Sequence, residues 1–257
     1  MTTFTVYRKE KDDVNPPVAI ATDLTAKSYV DSTVVKGKTY LYSVAAVKNS
    51  VEKISNDIEV HTYPVDPLDS YVVSLLRFEN DLTDEKGNIW TARNSGTYVA
   101  DGELQVNTTN GGLLCTDTEF LNFGTADFCF EAIVDINAAS LSPHFLRNNF
   151  PNWATYAAIL NLENQKMRYV FYGPPVIVST QSVPAGVHHL VWSRDASGMM
   201  RMFLNGELLR ADSYPYAVNF SYWGSTLFEE GLIKSRGVRI TKGHARYTAS
   251  FTPPTQF

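Results

Sequence analysis

Cysteine and long apolar runs are both scarce in this sequence. Its 257 residues include only two cysteines, Cys115 and Cys129, which excludes a disulfide framework and a four-thiolate zinc site. We expect two free thiols, as in a protein made in a reducing cytosol. No stretch approaches the roughly 20 continuous apolar residues that a membrane-spanning helix needs. The start, MTTFTVYRKEKDD, shows no secretory signal, so we expect no membrane insertion.

The sequence also lacks an excess of basic residues. Twenty-seven acidic residues against 22 basic ones give a formal net charge of −5. A protein that binds a phosphate backbone would show a basic stripe, so we expect no nucleic-acid partner. The hydrophobic fraction of 44% is high enough for a packed core.

Helical periodicity is rare, whereas strictly alternating apolar and polar residues recur along the chain. The dipeptide Asn205-Gly206 between MRMFL and ELL predicts a hairpin, because both central residues of a type I′ turn need a positive φ. Short strands separated by such turns are typical of an all-β sandwich or barrel. The predicted strands are FTVYR at 4–8, YLYSVAAV at 40–47, IEVHTY at 58–63, FCFEAIVDI at 128–136, MRYVFYG at 167–173, HHLVWSRD at 188–195 and MRMFLNG at 200–206.

A domain boundary is predicted within YPVDPLDS at 63–70. Its two prolines each lack a backbone donor and interrupt the strand pattern. The sequence therefore predicts two domains, 1–64 and 65–257.

The first domain resembles the second half of a fibronectin type III domain. SYVDSTVVKGKTY is expected to supply a strand and a turn, and Val34, Gly37 and Tyr40 match the family's tyrosine corner. FTVYR resembles strand C and SNDIEVHT strand G, so the resemblance implies strands C to G without A and B. Such a partial module would expose an apolar face and an open edge. We expect another chain, or a second copy of this one, to complete it; packing on its own second domain is the alternative.

Residues 68–257 resemble a laminin-G-like, concanavalin A-like jelly-roll sandwich. The resemblance is carried by the Asp84 to Gly87 turn, the FCFEAIVDI strand, the HHLVW strand and the Asn-Gly hairpin. The ending RGVRITKGHARYTASFTPPTQF is similar to the carboxyl termini of bacteriophage tail and virion-surface proteins. Ile240 is expected in the core with its neighbours facing out, and Phe251 and Phe257 are expected to anchor an extended tail.

Sandwiches of this kind also include glycoside hydrolases, which use two carboxyl groups roughly 5–10 Å apart. Glu131 and Asp135 share a strand face but are separated by Ile133, about 13 Å apart in a regular strand. Glu229 and Glu230 are adjacent and are expected to point to opposite faces. His188 and His189 accompany no nucleophile motif and are expected to be structural. The sequence therefore predicts a protein that is not an enzyme and requires no cofactor.

Calcium is the metal that the sequence favours most, because hard cations need several loop oxygens. Asp81, Asp84 and Asn88 supply such oxygens around a glycine turn. The alternative is that these side chains only cap the turn.

Two aromatic loops are the candidate binding surfaces. Aromatic rings interleaved with amide and guanidinium groups are typical of protein interfaces and of glycan sites, although they also occur in jelly-roll cores. The candidates are Phe145, Arg147, Asn149, Phe150, Trp153 and Tyr156 in the first loop and Tyr214, Tyr216, Tyr222 and Trp223 in the second.

These resemblances imply a bacteriophage virion structural protein, assembled in the host cytoplasm. It would decorate the capsid or attach at the tail, present a lectin-like domain and form a homo-oligomer. The alternatives are a tail protein that binds host surface glycans and a polysaccharide hydrolase.

Overall fold

The computed structural model describes residues 1–63, 66–139, 142–148, 158–171 and 176–257. The chain divides into two compact units, Met1–Asp69 and Ser70–Phe257. Both consist of antiparallel strands, and the helical segments of the described residues are two single 3₁₀ turns, Asp69–Tyr71 and Glu119–Leu121. The prediction of an all-β chain is confirmed.

The small unit is one five-stranded antiparallel sheet in the order β2-β1-β3-β4, with β5 also paired to β3. The long strands β1 and β3 pair along their whole length, from Thr3 opposite Val47 to Glu10 opposite Tyr40. The strands are β1 (Thr3–Glu10), β2 (Val18–Leu24), β3 (Thr39–Lys48), β4 (Val51–Ile54) and β5 (Ile58–His61).

The strand expected within SYVDSTVVKGKTY does not form; residues 25–38, all of which the structure describes, are turns and irregular chain. Instead, Asp31 fixes this segment. Its carboxylate accepts hydrogen bonds from Arg8 Nη1 at 2.7 Å and from the Tyr42 hydroxyl at 2.8 Å, and from Thr33 N at 2.9 Å. The Tyr40 hydroxyl is held from the same segment, because Val35 N donates to it at 3.0 Å. Since β1 already pairs with β2 and β3 on its two sides, this segment is held by side-chain bonds rather than by a ladder.

The large unit contains seventeen of the strands in the described residues. They are β6 (Val72–Leu76), β7 (Thr91–Ala92), β8 (Thr97–Ala100), β9 (Glu103–Val106), β10 (Leu113–Cys115), β11 (Asn122–Gly124), β12 (Phe128–Ile136), β13 (His144–Asn148), β14 (Ile159–Glu163), β15 (Lys166–Val170), β16 (Ile177–Ser182), β17 (Gly186–Arg194), β18 (Met199–Leu204), β19 (Glu207–Ser213), β20 (Val218–Asn219), β21 (Ser225–Glu229) and β22 (Ile233–Lys242).

These strands form a two-layer sandwich. An eight-stranded sheet runs β19-β18-β17-β12-β22-β9-β8, with β6 also paired to β22, and a seven-stranded sheet runs β16-β15-β14-β13-β21-β10-β7. β11 and β20 form a separate two-stranded ribbon. The last strand, β22, lies inside the larger sheet and pairs with β12 on one side and with β9 and β6 on the other.

The core lies between the two sheets and follows the period-two pattern. Along β12, Phe128, Phe130, Ala132 and Val134 belong to the main buried cluster, and Phe130 packs edge-on against Trp192 of β17. Ile240 of β22 joins the same cluster, as the sequence predicts. Alternate side chains of β12 and β22 therefore point out of the core.

The outer face of the eight-stranded sheet is covered by the carboxyl-terminal tail. Phe251 stacks on Tyr247 with ring centroids 3.6 Å apart, and the Arg239 guanidinium lies 4.7 Å from the ring centroid of Phe257. The two phenylalanines thus anchor the tail as predicted. Arg239 and Thr241 point away from the core, as predicted, but both are buried because the tail covers that face.

The Asn205-Gly206 turn follows the prediction, with φ of +49° and +82°. It also docks the tail, because Phe251 N donates to Gly206 O at 2.9 Å. A Cβ on Gly206 would lie 2.0 Å from the carbonyl oxygen of Phe251, whereas one on Gly102 (φ +73°) would meet nothing within 4 Å.

We therefore expect Gly206→Ala to destabilise the protein more than Gly102→Ala does. The Gly102 variant carries only the left-handed backbone strain, about 1–2 kcal/mol, whereas the Gly206 variant must also displace the tail. Urea unfolding of the full chain, combined with limited proteolysis of the tail, measures both effects. Equal losses for the two variants would contradict a tail docked on this turn.

Candidate functional site

Of the candidates in the first predicted aromatic loop, one lies in the core and four lie outside the described residues. Phe145 lies on β13 with its ring fully buried, 5.2 Å from the Trp192 ring centroid. It cannot meet a ligand, since its strand places it between the sheets. Four further candidates lie outside the described residues: Asn149, Phe150, Trp153 and Tyr156.

Arg147 is buried in a charged cluster on the outer face of the seven-stranded sheet. Its Nη1 lies 3.0 Å from Glu229 Oε2 and 3.8 Å from Glu230 Oε1, and Arg93 also pairs with Glu229. The expectation that Glu229 and Glu230 point to opposite faces is wrong. Glu230 follows the end of β21 with φ +59°, so the alternation of the strand no longer applies there.

In the second loop, Tyr214 also belongs to the core. It is 3% exposed, and its ring centroid lies 4.9 Å from that of Phe171. Tyr216 packs edge-on against Tyr214 but remains 60% exposed. Tyr222 and Trp223 are exposed as well, Trp223 by 71%.

The loop that carries Tyr222 and Trp223 is held rigidly. Asn219 Oδ1 accepts hydrogen bonds from the backbone and the hydroxyl of Ser221, both at 2.7 Å. Thr118 Oγ1 donates to Ser221 O at 2.9 Å. Gly224 has φ +86°, and a Cβ there would lie 2.8 Å from Cys115 O, so only glycine allows this close approach.

Strand register places this loop at one edge of the sandwich. Ser225 at the start of β21 pairs with Asn148 at the end of β13 and with Cys115 at the end of β10. Residues 116–118 and 219–224, here called the Trp223 edge, therefore lie side by side. Thr116 and Asp117 are exposed there, on the segment next to the one that carries Tyr222 and Trp223.

Trp223 itself adopts φ +63°. A bulky residue in the left-handed region stores of the order of 1–3 kcal/mol of backbone strain, and such strain persists where surrounding structure enforces it. Rigid presentation of an exposed indole suits an edge that contacts another molecule.

A second cluster of polar groups surrounds Glu131, whose side chain is completely buried under the tail. The carboxylate accepts from Arg239 Nε at 2.7 Å, from His189 Nε2 at 3.1 Å and from the Tyr247 hydroxyl at 3.1 Å. Arg246 Nε lies 3.5 Å away. Three hydrogen-bond donors and the charge of Arg246 thus surround this carboxylate, so the cluster holds the tail on the sheet.

Electrostatics agree with that role. Burial alone would raise the pKa of Glu131, but the hydrogen bond from His189 and the charge of Arg239 outweigh it and lower the pKa to about 2. Burial raises the pKa of the Cys115 thiol to about 11 and that of Cys129 well above its usual range. Both thiols therefore stay protonated at neutral pH, whereas a nucleophilic cysteine needs the thiolate. Both are free, as predicted.

Asp84, the centre of the predicted calcium turn, is buried and fully used by the protein. Its carboxylate accepts from Ser74 Oγ at 2.6 Å, Leu75 N at 3.0 Å and Asn88 Nδ2 at 2.8 Å, and from Lys86 N and Trp90 Nε1. Asp81 instead caps Thr83 N at 2.8 Å. No cluster of three or more His, Cys, Asp or Glu side chains suited to a metal occurs in the described ranges. The geometry favours the turn-capping alternative.

Comparison with known proteins supports the fold of the large unit and does not assign a family or an activity. No family model matches the chain, and no curated protein does. Among solved structures, a Trypanosoma rangeli sialidase mutant with trans-sialidase activity matches 79% of this chain and 40% of its own, at 11% identity and a TM-score of 0.51. A botulinum neurotoxin type C structure, whose cell entry depends on two ganglioside molecules, matches 69% of this chain and 49% of its own, at 11% identity and a TM-score of 0.54.

The receptor-binding domain of botulinum neurotoxin D is similar at 11% identity and a TM-score of 0.52. The chain thus matches about half or less of the length of these structures. The likeness confirms a lectin-like β-sandwich. Among the described residues, none of the helices has the length and apolar character to cross a membrane.

The Glu131 cluster gives a pH-dependent prediction. The folded pKa of Glu131 lies below the usual carboxyl value of 4.5, so its stabilising effect is complete above about pH 4.5 and is lost as the pH falls towards 2. Glu131→Gln leaves Arg239 and Arg246 facing an amide, and we expect it to lower the free energy of unfolding at pH 7 by about 3–5 kcal/mol. It should also flatten the acid limb of the stability profile.

Denaturant unfolding between pH 2 and 8 measures this effect. Glu207→Gln, which changes an exposed acid of the same unit, is the control and should cost no more than about 0.5 kcal/mol. An acid limb as steep in the Glu131 variant as in the parent would contradict the assignment.

Proposed function

We propose that this chain is a non-enzymatic attachment protein of a bacteriophage particle, whose large unit binds glycans of the host surface at the Trp223 edge. The observation that carries the proposal is Trp223 itself, an indole that is exposed and strained at once.

The strain at Trp223 differs from that at the other aromatic residues with positive φ. Phe78 and Phe228 also adopt left-handed backbone conformations, at +55° and +59°, but their rings are at most 1% exposed. Burial of a phenylalanine ring contributes roughly 1.5–3 kcal/mol, which offsets the strain. Trp223 is 71% exposed, so its ring gains far less from burial than those two rings do, and we propose that stacking on a ligand adds to what holds it there.

A saccharide suits this edge chemically. The C–H face of a pyranose is apolar and packs flat on an indole, while its rim of hydroxyl groups needs donors and acceptors nearby. Tyr222 and Trp223 offer the rings, and Thr116 and Asp117 offer the oxygens. The ganglioside dependence named for botulinum neurotoxin type C supports the same ligand class for a sandwich of similar fold.

The non-enzymatic part of the proposal is supported by the state of the buried carboxylates. Glu131 is saturated by donors, and Glu229 is held by Arg93, Arg147 and Thr226. Most glycosidases use two carboxyl groups that flank a bond of the substrate, and the bonds that hold Glu131 and Glu229 leave neither of them available for that mechanism. The phage assignment is supported by the ending RITKGHARYTASFTPPT and its similarity to virion-surface proteins.

The substitution Trp223→Gly separates binding from folding. Glycine accepts φ +63° without strain, so we expect the melting temperature to stay level or rise, while binding to host glycans falls by at least about tenfold, the loss of one stacking contact worth about 1.5 kcal/mol. A glycan array with differential scanning fluorimetry measures both.

Tyr71→Ala is the matched control, because Tyr71 is an exposed aromatic residue elsewhere in the large unit, and it should leave glycan binding intact. Reducing-sugar release from host polysaccharide by the parent protein would overturn the non-enzymatic assignment. A fall in melting temperature of the Trp223 variant with unchanged binding would show that the indole only supports the fold.

The small unit favours a second role, self-association. One face of its sheet exposes a row of aliphatic side chains, Val44, Ile58 and Val60. By register, Ile58 lies opposite Tyr42 and Val60 opposite Tyr40, so all three share the face that also carries Val6. Residues 31–35 bond the hydroxyls of Tyr40 and Tyr42 on this face but leave the three aliphatic side chains exposed. Twofold dimers, the commonest oligomers, pair the same patch of both subunits, so one apolar face can cover its own copy. We therefore propose that a second copy of the chain covers it.

Sedimentation velocity tests this role. The parent chain should dimerise, and Ile58→Asp should shift it to monomer, because a charge would be buried in the interface. Ile54→Asp is the control: Ile54 is similarly exposed but lies opposite Ala45, on the other face. A parent chain that stays monomeric, or equal effects of the two substitutions, would contradict the proposal.

A further inference from the structure

We infer that the large unit has a second ligand subsite, separate from the Trp223 edge, which takes a single neutral sugar residue. A cavity of about 140 Å³ opens on the eight-stranded sheet, where Asp135, Lys234, Asn107 and Asn137 line it together with apolar groups of Val106 and Ile233. No sequence motif pointed to it.

Register explains why these groups meet. Asp135 of β12 lies opposite Lys234 of β22, and Lys234 lies opposite Gln105 of β9. Gln105 in turn pairs with Tyr98 of β8. Residues directly opposite one another share a face, so a carboxylate, an ammonium, an amide and a phenol form one row across four strands. Adjacent strands are about 4.8 Å apart, and the row spans roughly 14 Å.

The cavity differs from the Glu131 cluster in having unused hydrogen-bonding capacity. Within the part of the chain that the structure describes, the half-buried Asp135 carboxylate has no side-chain hydrogen bond or ion pair. Asn137 uses its Oδ1 to accept from Ala139 N at 2.9 Å, which leaves its amide donor for a ligand. Asn107 donates to the Tyr98 hydroxyl at 2.9 Å, which leaves its Oδ1 as an acceptor.

Lys234 adds a charged donor to the lining of the cavity, and a carboxylate lies near it. Its Nζ is 3.9 Å from Glu103 Oε2, and Glu103 is held more closely by Arg236 Nε, at 2.7 Å. The charges of Asp135 and Lys234 balance within the cavity. A neutral ligand with adjacent hydroxyl groups, each able to donate and accept, matches one carboxylate and several amide groups.

The size and charge define the ligand class further. The volume is below the roughly 300 Å³ of typical small-molecule pockets, so it admits one sugar ring or its terminal diol rather than a chain. An acidic sugar would bring a second carboxylate next to Asp135, and two carboxylates that share a site repel each other. Tyr98, which is 45% exposed, lies at the far end of the row and gives an aromatic rim for the next sugar residue.

The test uses the full chain and methyl glycosides of neutral hexoses, observed by saturation-transfer and chemical-shift NMR. Asp135→Asn should weaken neutral glycoside binding by at least about tenfold, the loss expected for hydrogen bonds to a charged group, with an unchanged melting temperature. Asp101→Asn, an equal change of charge at an exposed residue of the β8–β9 turn, should leave binding intact.

Three results would overturn the inference: no binding of any neutral glycoside, equal affinity in the Asp135 variant, or a preference for N-acetylneuraminic acid or calcium at this site. The Trp223→Gly variant, measured in parallel, keeps the two proposals distinguishable. If Trp223→Gly loses array binding but keeps methyl glycoside binding, the loss is due to the Trp223 edge alone. The Asp135→Asn variant tests the cavity alone.

Discussion

The buried carboxylate of Glu131 is the constraint on which the arrangement of the large unit depends. Removing a carboxylate from water costs several kcal/mol unless donors surround it. Here the donors come from His189 on β17, Arg239 on β22 and Tyr247 in the tail, so the charge is satisfied only when all three segments are in place. An apolar contact would hold the tail with similar strength, but it would not define its direction as these hydrogen bonds do.

The covered outer face explains where ligand sites remain. Between Glu131 and Asp135 on β12 lies Ile133, which packs with Phe257 of the tail. One carboxylate is therefore consumed in closing the fold, while the next acid on the same face lines a cavity. The space between the sheets is filled by aromatic and aliphatic side chains, so both proposed sites lie outside it, one on the Trp223 loop and one beyond the tail at Asp135.

Much of the strand pattern was predictable, because it depends on local alternation. FCFEAIVDI coincides with β12, and Asn205-Gly206 makes the expected turn. The Glu131 cluster could not be predicted, because the partners of Glu131 lie 58 to 116 residues away and no local pattern encodes such pairing. For Phe145 and Tyr214, composition left both a binding surface and the core open, because composition does not report which side of a strand a ring occupies. The Asp135 cavity was not predictable either, because its residues come together only through the register of β12, β22 and β9.

Shallow sites of this kind bind single sugars weakly, because each offers few contacts and a bound sugar loses rotational freedom. Attachment to a surface that displays many glycans does not need a tight individual site. Linking sites turns later contacts into intramolecular events and raises the avidity by factors of about 10² to 10⁴. A dimer through the small unit would present two Trp223 edges and two Asp135 cavities, and a particle that displays many copies multiplies them further. In the proposed assembly, the exposed aliphatic face and the two proposed sites would act together, and the number of copies rather than pocket depth would supply the strength of attachment.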